Sequence, residues 1–105
     1  MAKLSLTQKP TFTRDVMIPV PGEQAVAVKF IFKAKTKDEF KEFVERLRSQ
    51  STDDLDIIME VASGWDLEDP FDRDNVKKLE QNYLGSAKAI LDAYNVELSG
   101  ARLGN

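Results

Sequence analysis

The segment Ala-Val-Ala-Val-Lys-Phe-Ile-Phe-Lys-Ala, residues 25–34, decides the fold, because its large apolar residues recur with a period of two. One face carries Val26, Val28, Phe30 and Phe32, and the other carries alanine, lysine and isoleucine. Strong β-formers at this spacing predict a strand whose valine and phenylalanine face is buried.

A second β-prone run, residues 11–18, lies upstream with Phe12, Val16 and Ile18 on one side. Between the two runs, residues 19–22 read Pro-Val-Pro-Gly, which is turn chemistry. The two runs therefore predict a β-hairpin. We also expect a third short strand around the leucines of the first ten residues, Leu4 and Leu6.

The period changes beyond Ala34, and the rest of the chain predicts about four short helices. Thr36 followed by Glu39 forms a capping box, and the apolar stripe of the first helix occupies positions 40, 43, 44 and 47. The second predicted helix follows caps in residues 49–53 and is buried along Leu55, Ile58, Met59 and Ala62. We expect it to end at Gly64, with Trp65 folding back towards Met59.

Two more helices are predicted in the C-terminal third. Asp72 can cap a helix that runs to about Tyr83, with Val76, Leu79 and Tyr83 facing inward. A last helix follows residues 85–86 and ends at Gly100, with the apolar stripe Ala87, Ile90, Leu91, Tyr94 and Leu98. The predicted fold class is therefore α+β, a hairpin followed by helices.

The length of 105 residues predicts one domain, since two cores would each be too small to be stable alone. We divide it into a hairpin part (1–34), a helical part (35–100) and a frayed tail (101–105). With 42% apolar and 31% charged residues, the composition is that of a globular chain.

The chain has no cysteine and no histidine, which limits its chemistry. Disulfides, thiolate or imidazole metal sites and histidine-activated nucleophiles are excluded. Asp, Glu, Lys and Tyr remain for acid–base work, but acids and bases alternate on what should be exposed helical faces, so no carboxylate pair stands out. We expect no enzymatic activity and no cofactor.

Charge and hydropathy predict a cytoplasmic protein with neither nucleic acid nor membrane as partner. The net charge is −3, which opposes binding to phosphate backbones, and no stretch approaches the ~20 apolar residues that span a bilayer. A local basic strip, Lys29 to Lys41, surrounds Phe30 and Phe32, but in a strand these lysines and phenylalanines point to opposite faces. A nucleic-acid interface is therefore the weaker interpretation of the strip, and protection of a strand edge by lysine is the stronger one.

An acidic connection, residues 66–72, is the candidate for a metal site, and the aromatic residues Trp65 and Phe71 flank it. It fails the calcium-loop pattern, because the fifth and sixth positions from Asp66 are Pro70 and Phe71. Helix-capping aspartates in a solvated loop are the better interpretation. Trp65 is more simply explained as a core anchor than as part of a partner-binding patch, and for Phe71 both interpretations stay open.

A set of motifs along nearly the whole chain resembles phage tail assembly chaperones. It comprises Pro-Thr-Phe at 10–12, Ile-Pro-Val-Pro-Gly at 18–22, Val-Lys-Phe-Ile-Phe-Lys at 28–33, Gly-Trp-Asp at 64–66, Pro-Phe at 70–71, Asn-Tyr at 82–83, and Ala-Ile at 89–90 through Tyr94 to Ala-Arg at 101–102. The elements are individually weak, and Gly-Trp-Asp, Asn-Tyr and the terminal Ala-Arg are specific as a set.

The resemblance implies a non-enzymatic protein that escorts the tape measure protein in the host cytoplasm, brings tail tube subunits to it and is absent from the finished virion. A virion structural tail or connector protein is the alternative, and a small nucleic-acid-binding regulator ranks third. We expect the helical part to supply a groove for the partner and the hairpin edge to mediate self-association. The candidate partner-binding residues are Phe30, Phe32, Trp65, Phe71, Tyr83 and Tyr94.

Overall fold

Three antiparallel strands and four helices form an α+β fold in the computed structural model, which describes residues 3–49 and 52–100. In chain order the elements are β1 (Thr11–Ile18), β2 (Val26–Lys33), α1 (Lys37–Ser49), α2 (Asp54–Val61), β3 (Ala62–Trp65), α3 (Arg73–Asn82) and α4 (Ser86–Ser99). The predicted fold class is confirmed, and the order of strands in the sheet is β1-β2-β3.

The hairpin forms as the sequence predicts. All eight residues of β1 pair with β2, from Thr11 opposite Lys33 to Ile18 opposite Val26. In the connecting loop, the Glu23 amide donates to the Val20 carbonyl at 3.0 Å. Gly22 has a φ of +79°, which glycine adopts without steric cost.

The third strand lies in another part of the chain than predicted. Residues 3–10 contain no strand, and both leucines there are exposed. The predicted end of the second helix at Gly64 is also wrong, because α2 ends at Val61 and Ala62 is already extended, with φ −118° and ψ 150°. β3 then pairs with the free edge of β2, whose backbone groups need partners.

Gly64 has a packing role in β3. It lies opposite Ile31, and a Cβ atom at this position would stand 3.0 Å from the Ile31 Cδ1. The absence of a side chain therefore lets Ile31 lie over the strand. A register shift between Ile31 and Phe32 marks a bulge in the pairing.

Apart from the C-terminal cap at Gly64, the predicted helix caps are present. The Thr36 hydroxyl and the Glu39 carboxylate exchange hydrogen bonds with each other's backbone amides at 3.2 and 2.8 Å. The Asp53 carboxylate caps α2 through the Leu55 amide, and Asp72 caps α3 through the Asn75 amide at 2.8 Å. At the other end of the chain, α4 closes on Gly100, which has a φ of +72°.

The core lies between one face of the hairpin and the helices. Tyr94 of α4 is its centre: the ring stacks on Phe12 at 5.9 Å and touches Phe32 at 5.3 Å between centroids. Its hydroxyl donates to the Lys33 carbonyl at 2.8 Å, and burial raises the pKa of Tyr94 above the usual tyrosine value. This bond ties α4 to the end of β2.

An ion-pair cluster around Glu60 joins α1 to the rest of the fold. The Arg46 guanidinium donates to both Glu60 carboxylate oxygens at 2.6 and 2.7 Å, and the Lys35 ammonium donates at 2.9 Å. Both cations also lie over the ring of Phe43, the one fully buried residue described in α1. The cluster therefore fixes the helix through charge as well as packing.

Candidate functional site

An open groove of about 510 Å³ lies between the turn end of the hairpin, the acidic connection 66–72 and α3. Its walls are mostly apolar. The hairpin contributes Ile18, Val20, Val26 and Val28, and the remaining apolar wall consists of Trp65, Leu67, Leu79 and the ring of Tyr83. Four polar residues complete the lining: Asp69, Asn75, Lys78 and Asn82.

Trp65 forms a rigid wall of the groove. Its indole N–H donates to the Asp69 carbonyl at 2.7 Å. The ring meets Phe71 edge-on at 5.1 Å on one side and Phe30 edge-on at 5.9 Å on the other. Because the hydrogen bond and the two ring contacts hold the indole in place, this wall is present before any partner binds.

The acidic connection is fixed to the sheet by Asp66, directly after β3. The Asp66 amide donates to the Lys29 carbonyl at 3.1 Å, and the Lys29 amide donates to the Asp66 carboxylate at 2.9 Å. The Asp66 carboxylate thus accepts a hydrogen bond that the backbone of a longer strand would accept. At the far end, the Asn75 side chain donates to the Pro70 carbonyl at 2.8 Å. The connection is held at both ends, and Leu67 lies exposed between them.

Apolar side chains remain open to solvent at this site. Val26 is 53% exposed, Leu67 37% and Tyr83 36%. An apolar surface with a few polar groups at its margin binds apolar side chains of another chain.

The six residues predicted to bind a partner divide into two groups. Phe30, Phe32 and Tyr94 have 0% exposure and belong to the core. Trp65 and Phe71 are half-buried and Tyr83 is exposed, and these three lie at or beside the groove. Partner binding stays a prediction for the set, and in this conformation a partner can touch only the second group.

Sequence reasoning missed three important groove residues. It placed Val26 on the buried face, but Val26 is exposed at the turn end of the hairpin although its pairing partner Ile18 is buried. Leu67 was passed over as part of an acidic loop. Leu79 was assigned to the core, against which it does pack, but its place in the groove lining was not predicted. No signal in the sequence distinguishes Leu67 from an ordinary loop leucine, since single exposed apolar residues are common on protein surfaces.

The other candidate sites lack the required geometry. Among residues 3–49 and 52–100, no group of three or more acidic side chains is placed to hold a metal ion. In the basic strip, Lys35 is committed to Glu60, while Phe30 and Phe32 lie on the core face. No helix within the described ranges is long and apolar enough to cross a membrane.

The hairpin edge predicted to mediate self-association is β1. It is an outer strand of the sheet, and no other described strand pairs with its free side. Arg14 on this strand forms an ion pair with Glu97 of α4 at 2.9 Å. Association through this edge stays a prediction.

Comparison with known proteins agrees with the resemblance in the sequence. The model of a family described as phage tail assembly chaperone matches residues 1–105. No curated protein and no solved structure matches the chain.

Proposed function

The chain belongs to the phage tail assembly chaperone family, and from that premise we propose that it binds the tape measure protein and brings tail tube subunits to it. The family assignment itself supports protein partners in the phage tail and suggests a non-enzymatic role. The groove between the hairpin and α3 is the surface that we assign to the tape measure protein.

The open apolar groove carries this proposal. Val26, Leu67 and Tyr83 present apolar surface beside the fixed indole of Trp65. A long helix-rich chain that awaits its tube displays rows of apolar side chains, and such a row binds an apolar groove as an amphipathic helix does. The polar residues at the margin set orientation rather than affinity.

The small size of the groove favours release. It accommodates a few side chains, so each contact is weak, and many copies along one client supply the combined affinity. An escort must leave when the tube assembles, and weak repeated contacts allow this. We accordingly place the protein in the cytoplasm of the host cell and outside the finished virion.

Co-expression with the tape measure protein of the same phage tests the proposal. The groove variant V26E/L67E places two carboxylates on exposed apolar positions of the site. The matched control M17E/L84E makes the same change at two exposed apolar residues that do not line the groove.

We expect affinity capture of the tape measure protein by the wild type and by the control, and at least about tenfold less by the groove variant. Equal capture by both variants would place the client elsewhere. No capture by the folded wild type would refute the proposed function. Purified virions should contain the tube protein and not this chain.

A further inference from the structure

The first described residues form an apolar and basic extension that contacts little of its own chain. Residues 3–10, here called the N-terminal arm, read Lys-Leu-Ser-Leu-Thr-Gln-Lys-Pro. Leu4 is 84% exposed and Leu6 is 100% exposed. The arm carries two lysines and no acidic residue. Both leucines are therefore available for contact with another chain.

The groove has complementary properties. Its walls are apolar, and the connection at its margin carries Asp66, Glu68, Asp69 and Asp72 without a basic residue. The groove lining itself holds one acidic and one basic residue, Asp69 and Lys78, so the excess of negative charge lies in the adjacent connection. We infer that the N-terminal arm of one copy binds in the groove of a second copy, with its leucines on the apolar walls and its lysines beside the acidic connection.

The arm is too short to place both leucines in the groove of its own chain. The Pro10 carbonyl accepts a hydrogen bond from the Ala34 amide at 2.9 Å, which fixes the base of the arm at the end of the hairpin away from the turn. From there Leu6 reaches at most ~14 Å and Leu4 ~22 Å. The groove wall at Ile18 lies about eight residues, or ~26 Å, along β1. Leu6 therefore cannot reach the Ile18 and Val26 wall of its own chain, and Leu4 approaches it only when the arm is fully extended. Both leucines can lie together on this wall only in another copy.

This contact joins two different surfaces, the arm and the groove, so it is heterologous. Copies linked in this way close into a ring or a reciprocal pair, or extend into a chain. The contact is small compared with stable dimer interfaces, so we expect a dissociation constant on the order of 100 µM. The inference concerns contacts between copies and does not depend on which client the groove binds.

Sedimentation of the full chain over a range of concentrations is the first test. The wild type should associate as its concentration rises. The arm variant L4S/L6S should dissociate to monomers, because each lost leucine weakens the contact by about tenfold or more. The control L84S removes another exposed leucine outside both surfaces and should behave as the wild type.

Mixing two defective variants is the decisive test. L4S/L6S keeps its groove, and V26E/L67E keeps its arm, so neither associates alone while the mixture forms a heterologous complex. Association through the β1 edge would instead leave both variants associated as the wild type is. The substituted arm residues touch nothing in the core, so the arm variant should retain the wild-type thermal unfolding curve. If V26E/L67E unfolds, the milder groove variant V26S/L67S takes its place in the mixture.

Three results would overturn the inference: a wild type that remains monomeric up to about 1 mM, an arm variant that associates as the wild type does, or a mixture of two folded variants that stays monomeric. None of these results would bear on the proposed function, because the capture experiment measures binding of the tape measure protein and not association between copies. Loss of client capture with intact self-association would in turn refute the proposed function alone.

Discussion

Replacement of Glu60 by glutamine removes the charge that binds α1 to the hairpin and to α2. In the folded chain, the hydrogen bonds from Arg46 lower the pKa of Glu60 from 4.5 to about 2, with Lys35 contributing. A difference of this size corresponds to at most about 3 kcal/mol of stabilisation. Because the Arg46 side chain is 46% exposed, solvent screening reduces the effect, and we expect E60Q to lose about 1 to 2 kcal/mol at pH 7.

The pH dependence follows from the sign of the shift. The pKa is lower in the folded state than in the unfolded state, so the carboxylate stabilises the fold fully above pH 4.5. This contribution is lost as the pH falls towards about 2. The difference in unfolding free energy between wild type and E60Q should therefore be largest near neutrality and should disappear near pH 2.

Urea unfolding across this pH range measures the difference, and hydrogen exchange of the α1 amides locates it. Because Phe43 is the one fully buried residue described in α1, those amides should lose protection first in E60Q. E23Q, in the exposed hairpin loop, removes the same charge and should leave both readouts unchanged. A stability difference that is independent of pH, or an unchanged exchange pattern in α1, would refute the reasoning.

Three further predictions concern the core, a helix cap and the arm. Y94F leaves the Lys33 carbonyl without its donor and should cost about 1 kcal/mol in urea unfolding; it should also abolish the tyrosine absorbance change seen above the usual titration range, and a residual change there would contradict the burial of Tyr94. D72A removes the cap of α3 and should cost about 1 kcal/mol, most of it restored in D72N; equal losses in both variants would argue against capping. A synthetic peptide of residues 3–10 should compete with the tape measure protein for the groove, whereas the peptide with both leucines replaced by serine should not. If the first peptide leaves capture of the tape measure protein unchanged, the arm and the client bind separate surfaces.

The sequence predicts the parts of the fold that depend on neighbours along the chain. The alternating valines and phenylalanines define β2, and the Thr36 and Glu39 pair defines the start of α1, because both signals lie within a few residues. Gly100 ends α4 for the same reason.

Local signals fail at β3. Ala62 continues the apolar stripe of α2, and Gly64 resembles a helix stop, so a helical interpretation is locally consistent. The free edge of β2 decides the outcome, because its unpaired backbone groups recruit Ala62 and Trp65 as a third strand. No residue near Ala62 in the chain indicates that the edge of β2 is unpaired.

The groove is also hidden from sequence reasoning, because three separate segments form it. Val26 and Leu67 are 41 residues apart in the chain, and only the sheet and the fixed connection bring both to one surface. Phe30, Phe32 and Tyr94 were selected because aromatic residues often dominate binding surfaces. The sequence alone could not separate buried rings from accessible ones.

The chain contains a single tryptophan, Trp65, and it stands in the groove wall with its indole held by Asp69. Ultraviolet excitation therefore yields an emission signal from one known position. Displacement of water from that ring shifts the emission to shorter wavelength. Occupancy of the groove, by an arm or by a client without tryptophan, can thus be followed in the natural protein without any attached dye.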